Sequence, residues 1–126
     1  SWYWNQSPEA RAWSRRFFDK MKRMPSSLQA ADYSATMHYL KAVEAIKTDE
    51  ADKVIAKMKA TPINDFYTKG TIRKEDGRGI HDMFLLQVKT PKESTEPWDY
   101  FKVVTRIPGE DAFTKLADSK CPLVKK

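Results

Sequence analysis

A chain of 126 residues with 40% apolar and 32% charged side chains has the length and composition of one globular domain, which excludes a largely disordered protein. No apolar run approaches the roughly 20 residues of a membrane-spanning helix. The net charge of +6 is spread, with 11 basic and 7 acidic side chains in residues 1–60 and 12 and 10 in residues 61–126. This mixture is more typical of a solvated surface than of a nucleic-acid stripe.

Residues 7–60 carry the periodicity of three helices and no strand pattern. Ser7 followed by Pro8 is a typical helix start, because serine caps free backbone amides and proline suits the first helical position. This first helix is predicted to end near Lys22. Its apolar stripe recurs in steps of three and four and consists of Ala10, Trp13, Phe17 and Met21.

The longest unbroken helical pattern covers residues 26–46, and the chain is organised around it. Pro25 and Ser26 precede it as a stop and an N-cap. Larger side chains form a stripe and alanines leave a second face thin, so we expect this helix to be covered on most sides. The stripe consists of Leu28, Tyr33, Met37, Leu40 and Val43. We expect this chain alone not to supply all of that cover.

A third helix is predicted to begin at Thr48 or Asp49 and to end before Pro62, which disfavours helical backbone at the preceding residue. Its apolar side consists of Ala51, Val54, Ile55 and Met58. Residues 63–67, which follow, are predicted to be irregular or a single turn.

The second half of the chain has strand and turn patterns. Residues 71–73 form a short predicted strand, and Asp76-Gly77 suits a tight turn because glycine adopts positive φ without strain. Residues 82–88 are the best strand, apolar on both faces, and residues 98–107 are its predicted antiparallel partner. One or two helical turns are expected at residues 111–116.

No motif for catalysis, a cofactor or a metal is present, so we predict a protein that is not an enzyme and has no cofactor. His38 and His81 are the only histidines, and both are interpreted as structural. Asp82 follows His81 on a predicted strand and faces the other side, so it cannot orient the imidazole. A second reading stays open at this point, a small basic interaction module that binds nucleic acid or an acidic protein surface.

Several consecutive phrases resemble one family. They are SWYWN, QAADYSATMHYLKAVEA, ADKVIAKMKATPINDFY, IRKEDGRGIHDMFLLQVKTPKES, PWDYFKVV, IPGEDAF and CPLVKK. In this order they resemble the C-terminal third of the branched-chain-amino-acid-type periplasmic binding proteins, which are solute receptors of ABC importers. The resemblance covers essentially the whole chain.

The resemblance implies an α/β fold, namely a C-terminal fragment of the two-lobed type I periplasmic binding fold. This fragment would contain three helices, then an antiparallel β-hairpin and a short C-terminal helix. Residues 1–60 would belong to one lobe, residues 61–75 would cross between the lobes, and residues 76–126 would belong to the other lobe.

The function implied is capture of an amino acid or a small aromatic or aliphatic acid by lobe closure, followed by delivery to a membrane permease in the periplasm. Nucleic acid is not an expected partner under this reading. The ligand-binding residues implied are Tyr3 and Trp4 on the inter-lobe strand and Gln29 and Tyr33 at the head of the central helix.

The resemblance also implies that the N-terminal part of the protein is missing, which fits the abrupt aromatic start at Trp2. A fragment with uncovered apolar faces is expected to self-associate. Similar proteins carry an earlier cysteine that could bridge to Cys121, the single cysteine of this chain.

Overall fold

The structure is a computed structural model that describes residues 2–124. The helices in that range are α1 (Pro8–Met21), α2 (Ser27–Ile46), α3 (Ala51–Ala60) and α4 (Gly109–Ala112), followed by a 3-10 turn at Leu116–Asp118. The strands are β1 (Ile63–Asn64), β2 (Lys69–Ile72), β3 (Gly79–His81), β4 (Met83–Val88) and β5 (Phe101–Ile107). In the described part of the chain, no helix is both long and apolar enough to cross a membrane.

The three long helices lie where the sequence predicts them, because their caps are local. The Ser7 hydroxyl accepts a hydrogen bond from the amide of Ala10, and Pro8 occupies the first turn of α1. α2 begins with a capping box in which Ser26 and Gln29 each bond the other's backbone amide. The mixed α/β fragment with three helices and a later hairpin is therefore confirmed.

The strands form two separate antiparallel sheets. One has the order β1-β2-β3, and the other is the predicted hairpin of β4 and β5. The predicted turn between β2 and β3 is present, and Gly77 has the positive φ of 70° that glycine tolerates. Only Asp82 separates β3 from β4, so the chain passes from one sheet to the other in a single residue.

Two predicted boundaries are wrong, and a third prediction is partly right. Residues 63–67 contain the predicted turn, which the Asp65 carboxylate closes by accepting from the amides of Tyr67 and Thr68, but Ile63–Asn64 form the strand β1 that pairs with β2. β5 begins at residue 101 instead of 98, since Trp98 has a left-handed φ of 71° that no strand residue adopts. The helix expected at residues 111–116 lies at Gly109–Ala112.

The core is aromatic and joins the start of the chain to α1. Trp13 stacks on Phe66 with ring centroids 4.2 Å apart, and Trp2 packs edge-on against both rings. Ala10 and Ser14, on the same side of α1, are fully buried. Large rings and small side chains together let the N-terminal segment lie close against the helix.

The buried residues of α2 are all small, and several of its large residues are exposed. Ala30, Ser34 and Ala42 are buried, whereas Leu28 is 80% exposed and Leu40 is 49% exposed. The expectation that this chain would not cover the whole helix agrees with that exposure. The buried face consists of small residues because they allow α3 and the β1–β2 turn to approach, and the Ser34 hydroxyl donates to Asp65 at 2.5 Å.

Candidate functional site

A cleft of about 390 Å³ lies where the two sheets meet, and we call it the junction cleft. Its wall combines the N-terminal segment, the head of α2 and the passage from β3 to β4. The lining residues are Trp2, Gln6, Ser27, Tyr67, His81, Asp82, Met83, Phe84 and Phe113. A concave, largely aromatic wall with a few polar groups is typical of a small-molecule site.

Four aromatic rings along this cleft contact one another in sequence. Trp2 stacks on Tyr67 with centroids 6.1 Å apart, Tyr67 meets His81 edge-on at 5.8 Å, and His81 meets Phe113 edge-on at 5.3 Å. Such ring pairs fix one another's orientation. The cleft therefore has preformed flat surfaces.

Polar atoms accompany these rings. The indole Nε1 of Trp2 is buried without a hydrogen-bond partner in the structure. Burial, and secondarily the Asp65 carboxylate, raise the pKa of Tyr67, so its hydroxyl keeps its proton and can donate. The Nδ1 of His81 lies 2.9 Å from the carbonyl of Asp82, which can only accept, so a neutral His81 ring has Nε2 left as an acceptor.

Asp82 is the single residue that connects β3 of one sheet to β4 of the other. Its carboxylate accepts from the backbone amide of Gly109 at 3.0 Å and from Nε of Arg106 at 2.5 Å. Its partners lie at and just after the end of β5, which is beside Asp82 in space although 24 and 27 residues further along the chain.

Tyr3 and Trp4, two of the predicted ligand contacts, turn their polar atoms toward the hairpin. The Tyr3 hydroxyl donates to the carbonyl of Trp98 at 2.5 Å and accepts from the amide of Tyr100 at 2.7 Å. The indole of Trp4 donates to the same carbonyl at 2.9 Å. Both rings are buried, so in this structure they hold the left-handed backbone at Trp98.

Gln29 and Tyr33, the other two predicted contacts, lie on α2. The Gln29 side chain is occupied by the capping box. Tyr33 is 42% exposed, packs edge-on against Trp13 and Phe66, and lines a separate groove between α2 and the end of α3. The structure thus does not bring the four predicted residues together in the junction cleft, and their role as ligand contacts stays a prediction.

Tyr67 and His81 line the junction cleft but are not among the site residues predicted from the sequence. Tyr67 lies in the turn that precedes β2, and His81 is the last residue of β3, which pairs with β2. An aromatic residue directly before one strand and another at the end of its partner strand was the available pattern. It was hidden because two-residue β1 leaves no periodicity in the sequence.

Seven of the 23 lysine and arginine side chains form ion pairs within the part of the chain that the structure describes. Arg11 and Arg15 pair with Glu96, and both guanidinium groups lie over the Trp4 ring. Within residues 2–124, the other ion pairs that involve lysine or arginine are Lys53–Glu50, Arg73–Asp76, Lys89–Asp99, Lys102–Glu93 and Arg106–Asp82. Among the described residues, no cluster of three histidine, cysteine or acidic side chains could hold a metal.

The sequence profile of the periplasmic binding proteins matches residues 1–95. A crystal structure of a periplasmic binding protein from Burkholderia mallei is 58% identical, with a TM-score of 0.95 over 99% of this chain and 33% of its own. A branched-chain amino acid ABC transporter periplasmic ligand-binding protein from Burkholderia xenovorans is 42% identical, with a TM-score of 0.93 over 99% of this chain and 33% of its own.

An ABC-type branched-chain amino acid transporter from Rhodopseudomonas palustris is 22% identical and shares the fold, with a TM-score of 0.69 over 87% of this chain and 30% of its own. No curated protein sequence matches the chain.

The chain belongs to the periplasmic binding protein family. It spans about a third of the length of the solved structures that it matches. The predicted family, the predicted fold class and the periplasmic location that goes with the family are confirmed. Of the matched proteins, the one from Burkholderia xenovorans is named as a ligand-binding protein of an ABC transporter.

Proposed function

We propose that this chain is the C-terminal third of the solute receptor of an ABC importer. The observation that carries the proposal is the similarity over 99% of the chain to two periplasmic binding proteins, one of them named for branched-chain amino acids. The receptor captures an amino acid or a small aromatic or aliphatic acid between two lobes and delivers it to a membrane permease.

The junction cleft forms one wall of the solute site under this proposal. Its rings at Trp2, Tyr67 and His81 suit the apolar part of a small solute, and the Tyr67 hydroxyl and the Ser27 hydroxyl suit a polar end. The remaining wall belongs to the rest of the receptor. Closure excludes water from these groups, which strengthens each hydrogen bond to the solute.

The rest of a longer protein is also the proposed cover for the open apolar faces of this chain. Leu28 and Leu40 on α2 and Leu85, Val88 and Val104 on the hairpin are between 49% and 80% exposed. Residues 1–60 and the β4–β5 hairpin would then lie in different lobes. Residues 1–126 by themselves are expected to self-associate through these faces, and a compact monomer in sedimentation would contradict that expectation.

The test is calorimetric titration of the complete natural protein with amino acids and with small aromatic and aliphatic acids. One of these solutes is expected to bind, and Tyr67→Phe is expected to weaken that binding about 5- to 150-fold, the usual range for one buried hydrogen bond. Tyr100→Phe is the matched control, because it removes a hydroxyl from a tyrosine that is 53% exposed.

Binding of no solute in this set would overturn the proposal. Binding that is unchanged in Tyr67→Phe but weakened in Tyr33→Phe would move the site to the α2 groove and to the originally predicted residues. Binding of a polyanion that weakens steeply with salt would favour the basic interaction module instead.

A further inference from the structure

The polypeptide reaches the hairpin and leaves it at one place. It enters β4 directly after His81, and it leaves β5 at Ile107, which is the register partner of Met83. Pro108 and Gly109 then return the chain to β3, because α4 packs against that strand. Both passages between the two sheets therefore lie side by side at the junction cleft.

Gly109 shows how closely the two passages approach. It is buried, and a Cβ atom placed on it would lie 2.9 Å from the carbonyl carbon and 3.0 Å from the amide nitrogen of His81. Such distances are below any van der Waals contact, so only glycine fits between the two passages without a shift.

Asp82 ties the passages together. It is the single residue of the first passage, and its carboxylate accepts from the amide of Gly109 in the second passage at 3.0 Å. The same carboxylate pairs with Arg106, a side chain that is 66% exposed. The hydrogen bond from the Gly109 amide is part-buried, whereas the ion pair with Arg106 is exposed. The hydrogen bond is therefore the stronger of the two interactions.

We propose that Asp82 is the positioning residue of the hinge, and that its bond to Gly109 keeps the two passages moving as one axis when the lobes close on solute. This inference rests on the proposed function and places the inter-lobe crossing at Asp82, beyond residues 61–75. Since Asp82 also lines the junction cleft, rotation about it opens or closes that wall directly. Without the hydrogen bond between Asp82 and Gly109, the two connecting segments move independently, and the lobes no longer close about a single hinge axis.

The test measures the spread of relative positions of the two bodies in the complete natural protein without solute. Spin labels on non-natural residues replace Thr71 on β2 of the three-stranded sheet and Gln87 on β4 of the hairpin, which are both exposed, and pulsed electron resonance gives their distance distribution. Asp82→Ala is expected to broaden that distribution. Asp82→Asn retains a carbonyl acceptor for the Gly109 amide and is expected to keep the wild-type distribution.

Arg106→Gln is the matched control, because it removes the ion pair with Asp82 and leaves the hydrogen bond between Asp82 and the Gly109 amide. It is expected to keep the wild-type distribution. Amide hydrogen exchange at Gly109 should speed up roughly 5- to 150-fold in Asp82→Ala, which reports that the bond is broken.

A wild-type distribution in Asp82→Ala, with exchange at Gly109 accelerated, overturns the inference. Equal broadening in Arg106→Gln overturns it too, because the ion pair would then be the tie. If circular dichroism shows that Asp82→Ala does not fold, the distance distribution of Gly109→Ala is measured instead, because the added methyl group forces the two connecting segments apart. Broadening there supports the hinge, and a wild-type distribution refutes it. No solute is needed, so this result is independent of whether the proposed solutes bind.

Discussion

The two ends of the β4–β5 hairpin are held in opposite ways. The loop end, residues 89–100, is fixed by buried polar groups and by side chains from the start of the chain. The crossing end, Asp82 and residues 106–109, depends on one carboxylate. A dense network resists any local rearrangement, whereas a single shared acceptor permits rotation. The comparison indicates that the hairpin is a rigid body and that its flexibility lies where it joins the three-stranded sheet.

The network at the loop end is centred on Asp99, which is 1% exposed. Its carboxylate accepts from Nζ of Lys89 through both oxygens at 2.8 Å and from the amide and hydroxyl of Thr95 at 3.0 and 3.2 Å. These bonds, Lys89 first, hold the pKa of Asp99 below its usual value. The carboxylate therefore stays charged and paired at neutral pH.

The largest effect is expected for Asp99→Ala. Removal of the carboxylate leaves the Lys89 ammonium, only 19% exposed, without its partner, which costs about 3–5 kcal/mol for a buried pair. The urea midpoint of the natural protein, with its slope, measures the loss. Glu93→Ala is the control, because it breaks an ion pair with Lys102 whose side chains are 39% and 42% exposed. That loss should be clearly smaller than the loss in Asp99→Ala, because solvent screens an exposed ion pair. Equal losses in both variants would show that the loop end is not the rigid end.

Tyr3→Phe tests the link from the N-terminal segment to the same loop. The variant loses the donor to the Trp98 carbonyl and the acceptor for the Tyr100 amide, so it should destabilise the protein by about 1–3 kcal/mol. Tyr100→Phe loses an exposed hydroxyl and should stay within about 0.5 kcal/mol of wild type. Thermal unfolding of both variants under one condition separates them. If Tyr3→Phe is as stable as its control while solute affinity falls, Tyr3 is a ligand contact as the family resemblance implies.

The contrast between the two ends also explains what the sequence could predict. Ser7, Pro8, Ser26 and Gln29 act within four residues, so the helix starts followed from local chemistry. The bonds of Tyr3 and Trp4 to Trp98 span 95 and 94 residues, and no local pattern encodes them. For the same reason the cleft residues Tyr67 and His81 were missed.

The strand predicted at residues 82–88 corresponds to β4, but its hydrophobic pattern does not reveal that β3, directly before Asp82, belongs to another sheet. The apolar faces of α2 were predicted, but which of them this chain covers depends on tertiary contacts. Small residues such as Ala30 and Ala42 are buried because they permit neighbouring elements to approach α2 closely. Hydrophobic periodicity alone does not predict which face of the helix is covered in this way.

The smallest effect is expected from the ion pairs that join α1 to the loop end. Arg11 and then Arg15 bond Glu96 and lower the pKa of its carboxyl. A carboxyl with a lowered folded-state pKa contributes stability above its unfolded pKa of about 4.3, and the contribution is lost as pH falls through the folded value. Glu96 and its partners are partly exposed, so the contribution should be about 0.5–1 kcal/mol.

Glu96→Gln removes that titration and leaves Asp99 in place. The difference in melting temperature between wild type and Glu96→Gln should be present at pH 6 and should shrink as the pH is lowered below about 4. Asp99→Asn, measured over the same range, separates the acid dependence of the buried carboxylate from that of Glu96. A difference that persists unchanged at pH 3 would mean that Glu96 stabilises the loop end by packing on Arg11 and Arg15, whose guanidinium groups stay over Trp4, and not by its charge.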